Sequence, residues 1–307
     1  MNRKGLLTVT AFIAVFVVVI SFVVLKSVSG TDTRRTDRAE LIYDVAGQLL
    51  REGNGERAVR GLVAIVEKYP DSRYARKALR DLTSIYSREG DVDKAYFYYA
   101  KLINSFPDTD DSGKMKIELE EVNMEKLLSF EITGDSIEYV VESGDSLYAI
   151  AKKFNTTVAL LRKMNRFQSD IIRPGQRLKI NISRFSVLID KTGNLLVLEK
   201  DGKPFKSYPV ATGKDDSTPA GVFTIVDKMI RPPWTEPGGI VLMPDDEGYE
   251  LGERWLALSI QGYGIHGTND DSSIGKHVTA GCIRMHNGDV IELYDIVTKG
   301  TKVEIVK

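Results

Sequence analysis

"HGTNDDSSIGKHVTAGCIRMH", residues 266–286, contains all three histidines and the single cysteine of a 307-residue chain. Four reactive side chains gathered this closely admit three readings: a metal site, a packing accident, or a thiol paired with a base. The residue types suit zinc. The spacing H-x10-H-x4-C-x3-H, however, lacks the close pairs that pre-form a site, and no metal is expected. A free cysteine is often a small buried hydrophobe, and Ile283 and Met285 beside it are apolar. Against packing stands Gly281, which clears a side chain away from the thiol. Consecutive backbone N–H groups at a glycine turn can converge on one spot, as an oxyanion requires. Arg284, two residues on, can share a strand face with Cys282 and bring positive charge to a thiolate. A thiol at neutral pH is only slightly ionised and needs a base, and an imidazole both takes the proton and returns it to the leaving amine. In an extended segment His286 lies too far along the strand. His266 ends a separate strand, so sheet pairing can set it opposite Cys282.

Outward from this stretch the pattern is mostly β. "FSVLID" (185–190), "NLLVLEK" (194–200), "FKSYPVATG" (205–213), "GVFTIVDKMI" (221–230), "WLALSI" (255–260) and "YGIHG" (263–267) are short apolar or alternating runs. The turn signals "KTGN", "KDGKP" and "TGKDDSTPAG" separate the first of them. A helix is predicted over "GDVIELYDIV", with Val290, Leu293 and Ile296 inward, and "TKVEIV" closes the chain as a strand. The whole is a β-rich domain of about 120 residues.

Upstream, residues 139–180 read "YVVESGDSLYAIAKKFNTTVALLRKMNRFQSDIIRPGQRLKI". A strand leads to Gly144, and Asp145 or Ser146 caps a helix that puts Leu147, Ile150, Ala151 and Phe154 on one face. Thr156 or Thr157 caps a second helix carrying Val158, Leu161 and Met164, and "RPGQRLKI" supplies a turn and a closing strand. A strand–helix–helix–strand unit of this size is marginal alone. "GDSLYAIAKKF", Asn165 and "IIRPGQRLKI" together resemble the LysM family. The resemblance implies binding of N-acetylglucosamine-containing glycans such as peptidoglycan or chitin. It places the sugar groove at Gly144, Asp145, Ser146 and Leu147, faced by Ile171, Ile172 and Pro174. The alternative is that Leu147 and Ile171 merely fill a small core.

Before that unit the chain repeats itself at an offset of 37: "REGN" (51–54) recurs as "REGD" (88–91), and "YPDS" (69–72) as "FPDT" (106–109). Ala58 matches Ala95, and Val66 matches Ile103. Helix, glycine turn and helix at such a period resemble tetratricopeptide repeats over residues 38–128, with Gly53 and Gly90 at the turns. A residue before proline is pushed out of the helical region, which closes each second helix at Tyr69 and Phe106. Such repeats serve as a spacer or as a docking surface for a protein partner, and the architecture names no ligand.

"IHGTNDDSSIGKHVTAGCIRMHNGDVIEL", with "ATGKDDSTPAGVFTI" and "GERWLALS" upstream, resembles the L,D-transpeptidase catalytic domain of the YkuD type over residues 184–307. The resemblance implies a β-sandwich-like fold with Cys282 as nucleophile and His266 as base. It further implies that the Gly267 carbonyl orients the imidazole, that N–H groups around Gly281 and Cys282 form the oxyanion hole, and that Arg284 is a substrate-side or architectural cation. Where many members carry Ser-His-Gly-Cys, this chain has Thr279-Ala280-Gly281-Cys282. His277 and His286 are accordingly expected to be bystanders. The implied reaction is acyl transfer on peptidoglycan stem peptides with no cofactor: Cys282 attacks the third-residue carbonyl, D-alanine leaves, and a neighbouring stem's amine takes the acyl group. Water as acceptor gives an L,D-carboxypeptidase instead, and lipoprotein attachment is a further use of the same site. A non-catalytic peptidoglycan-binding scaffold is the competitor from another class.

At the N-terminus, 21 residues without a charge separate Lys4 from Lys26, about 30 Å of helix and enough to cross a bilayer core. Residues 5–25 are therefore expected to form an uncleaved anchor within an N-terminal segment 1–30, although "SVS" at Ser27–Ser29 would also serve a signal peptidase. Arg3 and Lys4 precede the span, while Lys26, Arg34, Arg35 and Arg38 follow it, so charge counting gives no orientation. A net charge of −1 gives no footprint for nucleic acid, and one cysteine excludes an internal disulfide. The expected architecture is thus an anchor, helical repeats (38–128), a small LysM-like βααβ domain (138–181) and a β-rich catalytic domain (184–307). A wall-glycan module beside a wall-peptide enzyme places the body outside the cytoplasmic (inner) membrane, in the periplasm or facing the cell wall.

Overall fold

The computed structural model describes residues 37–106, 110–236 and 238–307, and the expected anchor over residues 5–25 lies outside them. Among the described residues no helix is long and apolar enough to cross a membrane. The chain divides into two compact units between Leu119 and Glu120.

The first unit is helical: α1 (37–51), α2 (Gly55–Lys68), α3 (Arg73–Glu89), α4 (Val92–Ser105) and the start of α5 (Asp110–Leu128). The repeat seen in the sequence recurs in the backbone. Gly53 and Gly90 adopt φ of 78° and 79°. The next residue's N–H then reaches back to the preceding helix in both copies, Asn54 to the Leu49 carbonyl and Asp91 to the Tyr86 carbonyl. This is the closure expected where a glycine ends a helix in the left-handed region. The second helices end alike, with the Tyr69 and Phe106 N–H groups bonded to the Ile65 and Leu102 carbonyls. Ala58 and Ala95, at equivalent places in the two copies, are both wholly buried.

In the second unit, β1 (Ser136–Val140) pairs antiparallel with β2 (Arg177–Asn181), and α6 (Leu147–Lys153) and α7 (Val158–Met164) lie between them in sequence. Ser146 and Thr157 take the capping positions, accepting from the Ala149 and Leu160 N–H groups. Asp145 instead braces the preceding turn, accepting from the Tyr139 hydroxyl and the Glu142 N–H at 2.8 Å each. Leu147, Ile150, Ala151, Leu161, Leu178 and Ile180 fill the small core. Asn165, 2% exposed, locks α7 to β2: its amide donates to the Leu161 and Lys179 carbonyls, and its oxygen accepts from the Lys179 N–H. Asn165→Ala strands the Lys179 N–H and carbonyl, while the Leu161 carbonyl keeps the residue-165 backbone N–H, so a loss of about 2–4 kcal/mol is expected. Chemical denaturation checks it, with selective loss of amide-exchange protection in residues 136–181 as the local signature.

This small unit is docked onto the β-rich domain. Leu160 and Met164 of α7, with Met124 and Leu127 from the end of α5, belong to the same apolar cluster as the sheet residues. The ion pair Lys163–Asp295 (2.7 Å) and hydrogen bonds from Thr157 to the Asp295 carbonyl and from Thr298 to Asn155 rim the contact.

The remaining strands are β3 (Phe185–Asp190), β4 (Leu195–Lys200), β5 (Lys203–Gly213), β6 (Gly221–Ile230), β7 (Trp234–Thr235), β8 (Val241–Leu242), β9 (Arg254–Leu258), β10 (Gly264–His266), β11 (His277–Thr279), β12 (Ile283–Met285) and β13 (Lys302–Val306), with α8 (Asn287–Ile296) before the last. The main sheet runs β11-β5-β12-β10-β9-β6-β13-β3-β4 and closes on itself through a β4–β5 pairing. The long strands β5 and β6 pass through both layers, which makes a sandwich whose two sheets share strands. Val187, Ile189, Leu196, Leu198, Val303 and Ile305 of one layer meet Leu256, Ile265, Ile283 and Met285 of the other. In α8, Val290, Leu293 and Ile296 are buried as the periodicity predicts. Lys228 of β6 donates to the Tyr294 and Val297 carbonyls at 2.6 Å each, placing a cation at the C-terminal end of α8.

Candidate active site

His266 is the last residue of β10, flanked by β9 on one side and β12 on the other. It pairs with Trp255 across the antiparallel contact, the two rings stacking at 5.8 Å between centroids. Gly264 leaves room for that indole: a Cβ there would come within 2.6 Å of the Trp255 ring. On the other side the pairing is parallel, with Ile265 opposite Ile283 and His266 opposite Arg284. Cys282 immediately precedes β12. The strand register therefore places Arg284, not Cys282, directly across from His266, with the thiol one pleat back. Such diagonal neighbours are about 7–8 Å apart at the backbone, within reach of a long side chain.

His266 is 4% exposed, and its Nδ1 lies 2.7 Å from the Gly267 carbonyl oxygen. A carbonyl only accepts, so Nδ1 carries the proton and Nε2 is left as the acceptor. Burial lowers the imidazole's pKa from 6.5 to about 4, the Arg284 charge adds to the fall, and the bond to Gly267 opposes it. Burial pushes the Cys282 thiol up, against smaller downward pulls from the Gly264 N–H and from Arg284. Both partners rest neutral at pH 7, and the thiol donates to the Gly262 carbonyl at 3.6 Å.

The Gly267 carbonyl is itself held in place. Asn287, at the start of α8, accepts from the Glu253 and Thr268 N–H groups and donates to the Thr268 carbonyl at 2.7 Å. It ties the loop after His266 to the entry of β9. Sequence reasoning missed Asn287 as a positioning residue; the available signal was a short amide side chain at the start of the predicted helix, five residues after the cysteine. Gly267 also has to be glycine, since a Cβ there would meet the Asn287 side-chain oxygen at 2.2 Å.

Gly281 sits at φ 132°, and a Cβ would fall 2.6 Å from Tyr263 Cε1 and 2.9 Å from the Ser217 carbonyl oxygen. The Thr218 hydroxyl donates to the Gly281 carbonyl at 2.9 Å and accepts from the Gly213 N–H at 2.7 Å, so the loop after β5 grips the residue before the nucleophile. One expectation is corrected here: the Gly281 N–H is bonded to the Thr279 hydroxyl at 3.2 Å and is not an open oxyanion donor. Gly281→Ala meets both left-handed backbone strain and a clash, so it is expected to cost about 2–4 kcal/mol. Thermal denaturation reads that loss, and the rate of Cys282 alkylation reads the accompanying distortion of the nucleophile.

The other two histidines have structural partners. The His277 ring nitrogens meet the Thr212 hydroxyl at 2.8 Å and the Asn194 amide at 3.2 Å. His286 pairs with Asp271 at 2.6 Å and precedes α8. Among the described residues no group of three or more His, Cys, Asp or Glu is disposed to hold a metal ion.

At the expected sugar groove, Gly144 takes φ 93° with open space around it, Ile171 is 78% exposed, and Pro174 is exposed. Ile172 packs partly against the small core. Leu147 is corrected: at 2% exposure it is core, because its place on the buried face of α6 decides its direction. Asp145 and Ser146 are committed to the turn and the cap. Tyr148, 72% exposed at the start of α6, was overlooked in the sequence, where an aromatic beside a buried leucine gave no periodic signal.

A family model of the L,D-transpeptidase catalytic domain matches residues 184–305, and one of the LysM domain matches residues 139–181. YkuD of Bacillus licheniformis, an L,D-transpeptidase by name, is 40% identical over 176 residues, 54% of this chain and 97% of YkuD. YcfS of Escherichia coli K12, also named as an L,D-transpeptidase, is 33% identical over 202 residues, covering 57% of this chain and 63% of YcfS. Among solved structures, the catalytic domain of an E. faecium L,D-transpeptidase aligns at 25% identity and TM-score 0.34, over 40% of this chain and 96% of that domain.

Proposed function

The chain belongs to the L,D-transpeptidase family and carries a LysM domain, and from that premise we propose that Cys282 and His266 perform the acyl transfer on peptidoglycan stem peptides. The observation that carries the assignment is the fixed tautomer of His266: Nδ1–H is spent on Gly267, which leaves a buried, unprotonated Nε2 as the acceptor on the strand beside the thiol. In the first half-reaction Nε2 takes the Cys282 proton, and the thiolate attacks the third-residue carbonyl of a tetrapeptide. The tetrahedral oxyanion collapses, the imidazolium protonates the leaving D-alanine amine, and a thioester remains. In the second half an amine of a neighbouring stem attacks the thioester, loses a proton to His266, and releases the thiol. With the Gly281 N–H engaged, the Cys282 N–H is the proposed oxyanion donor.

The wider reading follows the modules. Gly144, Ile171 and Pro174, joined by Tyr148, form the proposed glycan-contacting surface; Tyr148 supplies an aromatic face on which a sugar can stack. The helical repeats are proposed to be tetratricopeptide-like and to serve as a spacer or a protein-docking surface. Residues 5–25 are proposed to anchor the chain in the cytoplasmic membrane, with the body on the wall side, where the substrate lies.

The test is incubation of the full chain with tetrapeptide muropeptides, read by mass. Cross-linked dimers are the expected product. Tripeptides alone would reassign the enzyme as a carboxypeptidase. No product and no carbapenem adduct on an accessible Cys282 would leave the non-catalytic scaffold.

A further inference from the structure

Arg284 stands directly across from His266 and two residues beyond Cys282, yet its guanidinium faces a carboxylate of this chain. Nη2 lies 2.5 Å from Oε2 of Glu250, in the connection between β6 and β9. The pair is lopsided, the arginine side chain being 11% exposed and the glutamate 46%. A buried guanidinium needs a counter-charge, because removing its partner leaves an uncompensated buried ion. A glutamate nearly half in water, by contrast, gives up a single contact cheaply. The bond pattern is also incomplete. Nε and Nη2 are the two donors of the guanidinium's side-on fork, matched to the two oxygens of one carboxylate. Glu250 is held through Nη2, while Nε is buried with no hydrogen-bond partner. Asp270 also feels Arg284, but its carboxylate accepts from the Ser272 N–H and hydroxyl.

We propose that Glu250 is a displaceable internal stand-in for a substrate carboxylate: a peptide carboxylate beside the scissile bond takes Arg284 over by engaging both Nε and Nη2, and Glu250 swings into water. The proposal rests on the acyl-transfer reading, in which the leaving residue already carries a free carboxylate one residue past the attacked carbonyl; what is new is that Glu250 holds that carboxylate's place. Glu250 thereby acts as a positioning residue, restraining Arg284 until substrate arrives and lowering the positive potential at the thiol meanwhile.

The chain's one cysteine gives a direct readout. Alkylation of Cys282 by anionic iodoacetate and by neutral iodoacetamide is timed for the wild type, Glu250→Gln and Arg284→Met. The iodoacetate-to-iodoacetamide rate ratio is expected to rise about threefold or more in Glu250→Gln and to fall below wild type in Arg284→Met, since like and unlike charges at this range act strongly when partly buried. N-acetyl-D-alanine is expected to protect the thiol from iodoacetamide at about tenfold lower concentration in Glu250→Gln, a change of about 1.4 kcal/mol. Its amide, lacking the carboxylate, should protect neither. An unchanged rate ratio and unchanged protection in Glu250→Gln overturn the proposal, and this arm stands even if Arg284→Met fails to fold. If the ratio responds while muropeptides are not turned over, the pair is as described and the substrate assignment fails instead.

Discussion

Cys282→Ala is expected to bring muropeptide turnover down by at least ~10^3-fold and to abolish carbapenem acylation, while the fold persists. The size of the effect follows from covalent catalysis, where removing the nucleophile leaves only binding and electrostatics. The thiol is half-buried, and its hydrogen bond is a long one to Gly262. Losing one sulfur atom there should shift the melting temperature by no more than about 4 °C. Cys282→Ser should be nearly as inactive, because a hydroxyl presented to the same imidazole is a far weaker nucleophile at neutral pH than a thiol. Intact-mass measurement after carbapenem exposure checks both variants. Since the chain has no second cysteine, an adduct surviving on Cys282→Ala would place the nucleophile on another residue type.

Much of this site was legible in the sequence because its chemistry is local. The cysteine, the glycine before it and the histidine ending a separate strand all lie within one stretch, and strand alternation is enough to bring them together. Register was not legible. Whether Cys282 or Arg284 faces His266 depends on a one-pleat choice between the parallel strands β10 and β12, which neither strand's alternation fixes; in the structure Arg284 is the partner, and Thr218 holds Gly281 just ahead of β12. Polar wiring was hidden for a similar reason. Asn287 and Glu250 reach the site from the start of α8 and from the β6–β9 connection, and a single Asn or Glu in such places has no pattern to betray it. In the LysM domain the helical faces are readable, and at Leu147 the periodicity of α6, which turns the side chain into the core, outweighs its place in the motif beside the groove. How that domain joins the catalytic domain was not legible either. A glycan module on a loose tether raises local substrate concentration. Here Leu160 and Met164 share the apolar cluster of the catalytic sheet, and Lys163 pairs with Asp295. A glycan held by this module is therefore presented at a fixed distance from Cys282, which adds geometric register to proximity.

His266→Ala is expected to lower turnover by ~10^2–10^4-fold, the range for loss of a positioned general base, whereas His277→Ala should stay within a few fold of wild type. Equal damage from the two would reassign the base. The pH dependence separates the roles further. His266 can accept a proton only while neutral, so activity should persist down to about pH 4, where the buried imidazole finally charges. The thiol is pushed above its ordinary 9.0, so iodoacetamide alkylation should keep climbing with pH across the neutral range. A plateau there would reveal a preformed thiolate–imidazolium pair and contradict the neutral resting state. Stability carries the same sign. Below 6.5 the unfolded chain binds a proton at this histidine that the folded chain refuses until about pH 4. The stability contributed by keeping the ring neutral is therefore fully present above 6.5 and is lost as pH falls toward 4, on the order of 3 kcal/mol in all. His266→Gln removes the titrating group and keeps a donor for the Gly267 carbonyl. Its denaturation midpoint should fall less steeply than wild type between pH 6.5 and 4, and parallel curves for the two proteins would mean that His266 is not buried neutral.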